Sequence, residues 1–108
     1  MSGGAWQRFQ QSRRKGARLP PGVRSVARPW RWGNPFQLPG LPKCREVNAI
    51  LTACFRVWVP VKLLEDPDWL EPLRPYRGFA CYCPPDWPCH VDVLIEALAA
   101  TAPWEPSA

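Results

Sequence analysis

Acidic residues are missing from the first 45 positions of this 108-residue chain, and Glu46 is the first. Ten Lys/Arg occupy that stretch, whereas the remainder holds four basic and nine acidic residues. Such block asymmetry fits contact with phosphate, as nucleic acid or as a nucleotide; it also fits a solvated arm that offsets an acidic half. Histidine occurs once, at position 90. The basic N-terminus is not followed by an apolar run of signal-peptide length, and no stretch reads as the roughly 20 apolar residues of a membrane span. Export and a membrane partner are therefore not expected. An even disulfide framework is lacking too, because the cysteines number five. A reducing, cytoplasmic setting with free or metal-bound thiols is the expectation.

What is present points to a small folded domain. Apolar residues make up 46% and charged residues 21%, which is globular composition. One domain of this length buries a real but modest core. Seven tryptophans and four phenylalanines give that core a large aromatic payload. Fifteen prolines argue against long uninterrupted helices.

In order, residues 1–21 read as a flexible basic arm, helical from Trp6 to Arg14 when bound, with Arg8, Arg13, Arg14, Lys15 and Arg18 as candidate contacts to nucleic acid or a partner. Residues 22–102 form the domain and 103–108 a tail. Val23–Val26 is a β-branched strand bounded by Gly22 and Pro29. Gly33-Asn34-Pro35 is turn chemistry. A helix is expected from about Arg45 to Val59, burying Val47, Ile50, Leu51, Cys54 and Trp58 and ending at Pro60. A short helix follows with Asp66 as its N-cap. Phe79–Cys83 reads as a buried strand, and His90–Ala100 as a last helix. This alternation predicts an α/β fold: a small parallel sheet with flanking helices, as a single domain preceded by the basic arm.

The densest chemistry lies in Phe79–Glu96, which holds three cysteines and the histidine. In a parallel sheet the loops after Val26 and after Cys83 leave the same edge, where helix N-termini point free N–H groups at ligands. That edge would gather Arg28, Asn34, Cys83, Cys89, His90 and Asp92. Arg28, Trp30, Trp32 and Asn34 are candidate ligand-binding residues, since aromatic rings stack on bases and guanidinium groups hold phosphate. Equally, Trp30, Trp32 and Phe36 can be core plugs. The cysteine cluster has three readings. Cys81, Cys83, Cys89 and His90 offer a Cys3His zinc set, although the C-x-C-x5-C-H spacing is unusual. Alternatively Cys89, His90 and Asp92 are catalytic, with a thiolate favoured at the helix N-terminus and His90 as acid or base. In the third reading these side chains pack and cap.

The pieces Arg28-Pro-x-x-Trp-Gly-Asn-Pro-Phe36 and Cys81-Tyr-Cys-Pro-x3-Pro-Cys-His-x-Asp-Val-Leu94 resemble a family of small phage and bacterial proteins known only as a domain of unknown function. The resemblance covers roughly residues 23–100, with Tyr82 where Trp is usual and an extra Pro75-Tyr76 before Arg77-Gly78. It implies a compact α/β domain, often phage-encoded, in which the two motifs build one site. It implies no reaction. Three functions follow as expectations: an enzyme acting on a nucleotide, nucleobase or related phosphorylated metabolite, an effector that grips nucleic acid or a host nucleic-acid enzyme through its basic half, and a zinc-stabilised structural protein.

Overall fold

The structure is a computed structural model, and it describes residues 6–103. Three strands form one parallel sheet in the order β1-β3-β2, with β1 at Gln7–Gln10, β2 at Val23–Ser25 and β3 at Gly78–Cys81. The helices are α1, Arg45–Glu65, and α2, His90–Ala100. A 3-10 turn at Glu71–Leu73 precedes β3. The expected α/β architecture with a parallel sheet is what the chain adopts.

β3 is buried along its whole length, as a strand paired on both edges must be. Gly78 opens it for a steric reason: a Cβ there would lie 2.5 Å from the Phe9 ring and 2.6 Å from the Gln7 carbonyl. The two edge strands are tied to the same turn. Gln7 N–H donates to the Arg77 carbonyl, and Arg77 N–H donates to the Gly22 carbonyl. α2 packs on β1, on β3 and on α1. The core between them holds Val26, Phe55, Val59, Trp69, Leu70, Leu73, Phe79, Val91, Leu94 and Leu98. Arg74 closes the far end of α2 by donating to the Leu98 and Ala102 carbonyls and to Thr101 Oγ1.

Four sequence-based expectations need correction. Residues 7–10 are a sheet strand, so the arm is not free along residues 1–21; of its expected helix, Trp6 to Arg14, positions 7–10 are extended. Pairing with β3 at four successive positions outweighs the weak apolar signal of Gln-Arg-Phe-Gln. Residues 1–5 of the arm, and most of the tail, lie outside the described residues. Second, α1 runs through Pro60 to Glu65. Pro60 points to solvent, and Asp66 N–H caps the Lys62 carbonyl, so the last turn survives the lost donor. Asp66 is thus the cap that ends α1, not one that starts a helix. Third, the core face of α1 is Thr52, Phe55 and Val59, with Trp58 and Leu63 packed beside it. Val47, Ile50 and Cys54 lie on another face, and Ile50 is exposed. Fourth, β3 ends at Cys81, and Cys83 stands beyond it in a bend.

Two substitutions test this packing in urea unfolding. Phe55→Ala removes a fully buried ring and should cost about 3–5 kcal/mol. Gly78→Ala should cost on the order of 1–3 kcal/mol, because the clash is partly with backbone. Wild-type stability in both variants would contradict the packing.

Candidate functional site

A cleft and a cluster of cysteines lie outside the carboxyl ends of β2 and β3. The loop after β2 is built from within. Trp30 N–H donates to the Ala27 carbonyl and Gly33 N–H to the Trp30 carbonyl. A Cβ on Gly33 would stand 3.0 Å from the Arg28 backbone nitrogen, so the loop closes this tightly only with glycine. Asn34 then ties the loop to its surroundings: Nδ2 donates to the Leu51 carbonyl on α1 at 2.9 Å, and Oδ1 accepts from Phe36 N–H. Trp32 is buried and its Nε1 donates to the Trp69 carbonyl at 2.8 Å. Trp32 is therefore a core plug. Trp30 is half-exposed under the Arg24 guanidinium and does not reach the cleft.

The second loop, Pro84–Pro88, is held by Arg8. One guanidinium nitrogen donates to the Trp87 carbonyl at 2.8 Å and to Asp92 Oδ2 at 2.9 Å, and the other donates to the Pro84 carbonyl at 2.7 Å. Asp92 Oδ2 also accepts from Cys89 N–H at 3.1 Å, and Cys89 is the N-cap of α2. Asp92 is thus committed to a capping box and an ion pair. Arg8 is committed to the same knot, which leaves it no guanidinium face for nucleic acid. Of the other arm residues, Arg13 stacks on the Tyr82 ring at 3.8 Å, while Arg14, Lys15 and Arg18 are exposed.

Three thiols meet beneath this loop. The Sγ atoms of Cys81, Cys83 and Cys89 all lie within 4.8 Å of one another, and Cys81 and Cys89 are 2.8 Å apart. Three cysteines so placed could hold a metal ion. Cys81 and Cys89 are buried, whereas Cys83 is half-buried at the cleft. Asn48 of α1 donates its Nδ2 to Cys83 Sγ at 3.5 Å and to the Pro88 carbonyl. Hydrogen bonds from Cys81, then from Cys89 and Asn48, push the Cys83 thiol well below its ordinary pKa. Cys81 and Cys89 shift upward, Cys81 mainly through its hydrogen bond to Cys83 and Cys89 through those to Cys81 and Cys83. The cluster thus favours one thiolate, on Cys83, with the two inner thiols as donors.

His90 stands beside the cluster. Its Nε2 lies 2.8 Å from the Val26 carbonyl, and its Nδ1 is 3.6 Å from Cys89 Sγ. A carbonyl can only accept, so Nε2 carries the proton and Nδ1 is the acceptor that faces Cys89 Sγ. Burial lowers the His90 pKa, which keeps the ring neutral. The Cys3His set of the sequence reading thus reduces to three sulfurs with a neutral imidazole alongside.

A cleft of about 640 Å³ lies over these groups. Arg28, Asn34, Asn48, Cys81, Cys83 and His90 line its base and sides, and Tyr82 and Trp87 supply aromatic walls. Arg13, Arg28 and Lys43 are the charged residues of its lining, which contains no carboxylate. Sequence reasoning missed Arg8 as an organiser, and Asn48, Lys43, Tyr82 and Trp87 as cleft residues. Asn48 carried a faint signal as a polar residue beside the apolar run of α1. Arg8 carried none, because its role depends on a strand that its own segment barely announces.

A profile described as a domain of unknown function, DUF4326, matches residues 9–100, and the chain belongs to that family. The match begins inside β1, so the family includes part of what the sequence alone set aside as an arm. No curated protein and no solved structure matches the chain.

Because Asp92 supports a cap and a salt bridge, Asp92→Ala should lower stability by about 1–2 kcal/mol. Arg8→Ala should act on the same knot, so the double variant should cost clearly less than the two single costs added together. Thermal unfolding of the four proteins in that cycle checks this, and strict additivity would contradict a shared knot.

Proposed function

We propose that this member of the DUF4326 family binds a small anionic ligand of nucleotide size in the cleft above its cysteine cluster. The observation that carries this reading is the lining itself: three cations, two aromatic walls and no carboxylate around about 640 Å³. Arg28 and Lys43 hold phosphate, and Tyr82 or Trp87 stacks on a base. These aromatics replace Trp30 and Trp32 in that role. Cys83 supplies the reactive group, as the most accessible sulfur of the cluster and the one whose pKa is pushed down. His90, neutral and with Nδ1 facing Cys89 Sγ, can take up a proton from the cluster.

Calorimetric titration with a nucleoside monophosphate and with its parent nucleoside tests the reading. The monophosphate should bind and the nucleoside should bind at least about tenfold more weakly, a difference of ~1.4 kcal/mol. Arg28→Ala should remove a similar factor, and affinity should fall with added salt. Equal binding of the two compounds, or none of either at millimolar concentration, would rule the proposal out.

A second reading rests on the three sulfurs within 4.8 Å. A zinc ion held by Cys81, Cys83 and Cys89 would be three-coordinate from protein and would take its fourth ligand from the cleft, an open position as in catalytic zinc sites. Elemental analysis of protein purified without chelator should then give about one zinc per chain, and Cys83→Ser should abolish it. Metal-free protein whose three thiols react freely with a thiol reagent would leave the thiolate reading alone.

A further inference from the structure

The three thiols of the cluster are unequal in a way that anion binding alone does not use. Cys81 and Cys89 are 2% and 0% exposed, whereas Cys83 is half-buried and lines the cleft. Each sulfur is held by a different part of the fold. Cys81 ends β3, which is buried along its length, and Cys89 is the N-cap of α2. Between them the chain turns back, with Trp87 N–H donating to the Pro84 carbonyl, and Arg8 fixes that turn through the same Pro84 carbonyl and that of Trp87. Asn48 of α1 donates to Cys83 Sγ. One accessible sulfur is thereby fixed within 4.8 Å of two enclosed ones. Cys44 and Cys54 belong to no such group among the described residues. A nucleophile that takes up an acyl or alkyl group needs one sulfur. A second thiol at contact distance has a use in disulfide exchange, where it attacks the mixed disulfide formed at the first.

We propose that the reduced cluster cleaves an anionic low-molecular-weight disulfide held in the cleft, with Cys83 as the entry sulfur and Cys89 as the resolving sulfur. The proposal rests on the reading of the cleft as an anion site and gives that site a reaction. The lining selects the substrate class: Arg13, Arg28 and Lys43 without a carboxylate favour a negatively charged disulfide over a neutral or cationic one. Cys83 Sγ attacks one sulfur of the substrate. The substrate's S–S bond breaks, a mixed disulfide forms on Cys83, and the first half leaves as a thiol with the proton of Cys83. Cys89 Sγ then attacks Cys83 Sγ, and the second half leaves as a thiol with the proton of Cys89. His90 Nδ1, 3.6 Å from Cys89 Sγ, is placed to relay that proton. Two protein thiols lose two electrons and become one disulfide, and the substrate disulfide gains them as two thiols. Cys81 Sγ lies 2.8 Å from Cys89 Sγ, so one further exchange moves the new bond inward and frees Cys83.

Peptide mapping by mass spectrometry of the reduced full chain, quenched during reaction with dithiodiglycolate, cystamine and hydroxyethyl disulfide, tests this. Dithiodiglycolate should release two mercaptoacetates per chain and leave an internal disulfide that contains Cys89, with Cys44 and Cys54 still thiols. Each rate is divided by that of mercaptoethanol with the same reagent, which removes the intrinsic reactivity of the disulfide. On that scale dithiodiglycolate should react at least about tenfold faster than cystamine, and both Arg28→Ala and added salt should shrink the ratio. Cys81→Ser/Cys89→Ser should release one mercaptoacetate and keep the other half on Cys83. A wild-type chain that also stops at the mixed disulfide, with the charge preference kept, overturns this inference and leaves the anion site standing. An internal disulfide formed without charge preference overturns the substrate class and counts against the anion site as well. A cluster that stays unreactive while Cys44 and Cys54 are modified overturns the proposal in favour of bound zinc.

Discussion

The Arg8 guanidinium is the interaction on which the site depends. The Pro84–Pro88 loop has little apolar anchoring of its own, yet it must deliver Cys89 to the start of α2 and leave Cys83 at the cleft. Three hydrogen bonds from one side chain fix both ends of that loop and the Asp92 that caps the helix. A charged donor satisfying two backbone carbonyls and a carboxylate at once is among the stronger polar contacts a protein makes. Arg8 can reach them because β1 lies against β3, and β1 lies there because Gly78 admits the Phe9 ring. A steric condition at one glycine thereby decides where three sulfurs sit.

Charge is divided along the chain, and the fold gives that division a use. Four of the carboxylates are spent on structure: Asp92 on the α2 cap, Glu71 on Arg74, Glu96 on Arg56 and Asp66 on Lys62. Arg13, Arg28 and Lys43 of the cleft are in no ion pair among the described residues, and they line the same cleft as Cys83, the thiol whose pKa is driven down by Cys81, Cys89 and Asn48.

The parallel sheet, the two main helices and the meeting of the two loops at one edge were legible in the sequence. They follow from short-range rules: alternation of strand and helix signals, and turn chemistry at Gly33-Asn34-Pro35. What was not legible depends on distant partners. Gln-Arg-Phe-Gln has no strand pattern by itself, and becomes one only through pairing with the wholly buried Gly-Phe-Ala-Cys of β3. Asp92 resembled a catalytic acid until Arg8 and the Cys89 N–H were found to share its oxygen. Trp32 resembled a stacking platform until its indole nitrogen was found on the Trp69 carbonyl. The apolar run of α1 was visible, but its period fits two faces at once, and only the Phe55 ring in the core tells which face is inward.

The central claim, an anion site in the cleft over the cysteines, is tested most directly by amide chemical-shift mapping during titration with a nucleoside monophosphate. The account predicts saturable shifts at Arg28, Asn34, Asn48, Cys83 and His90, with the amides of Arg14, Lys15 and Arg18 unmoved. Shifts confined to those three basic residues, with the cleft silent, would contradict it.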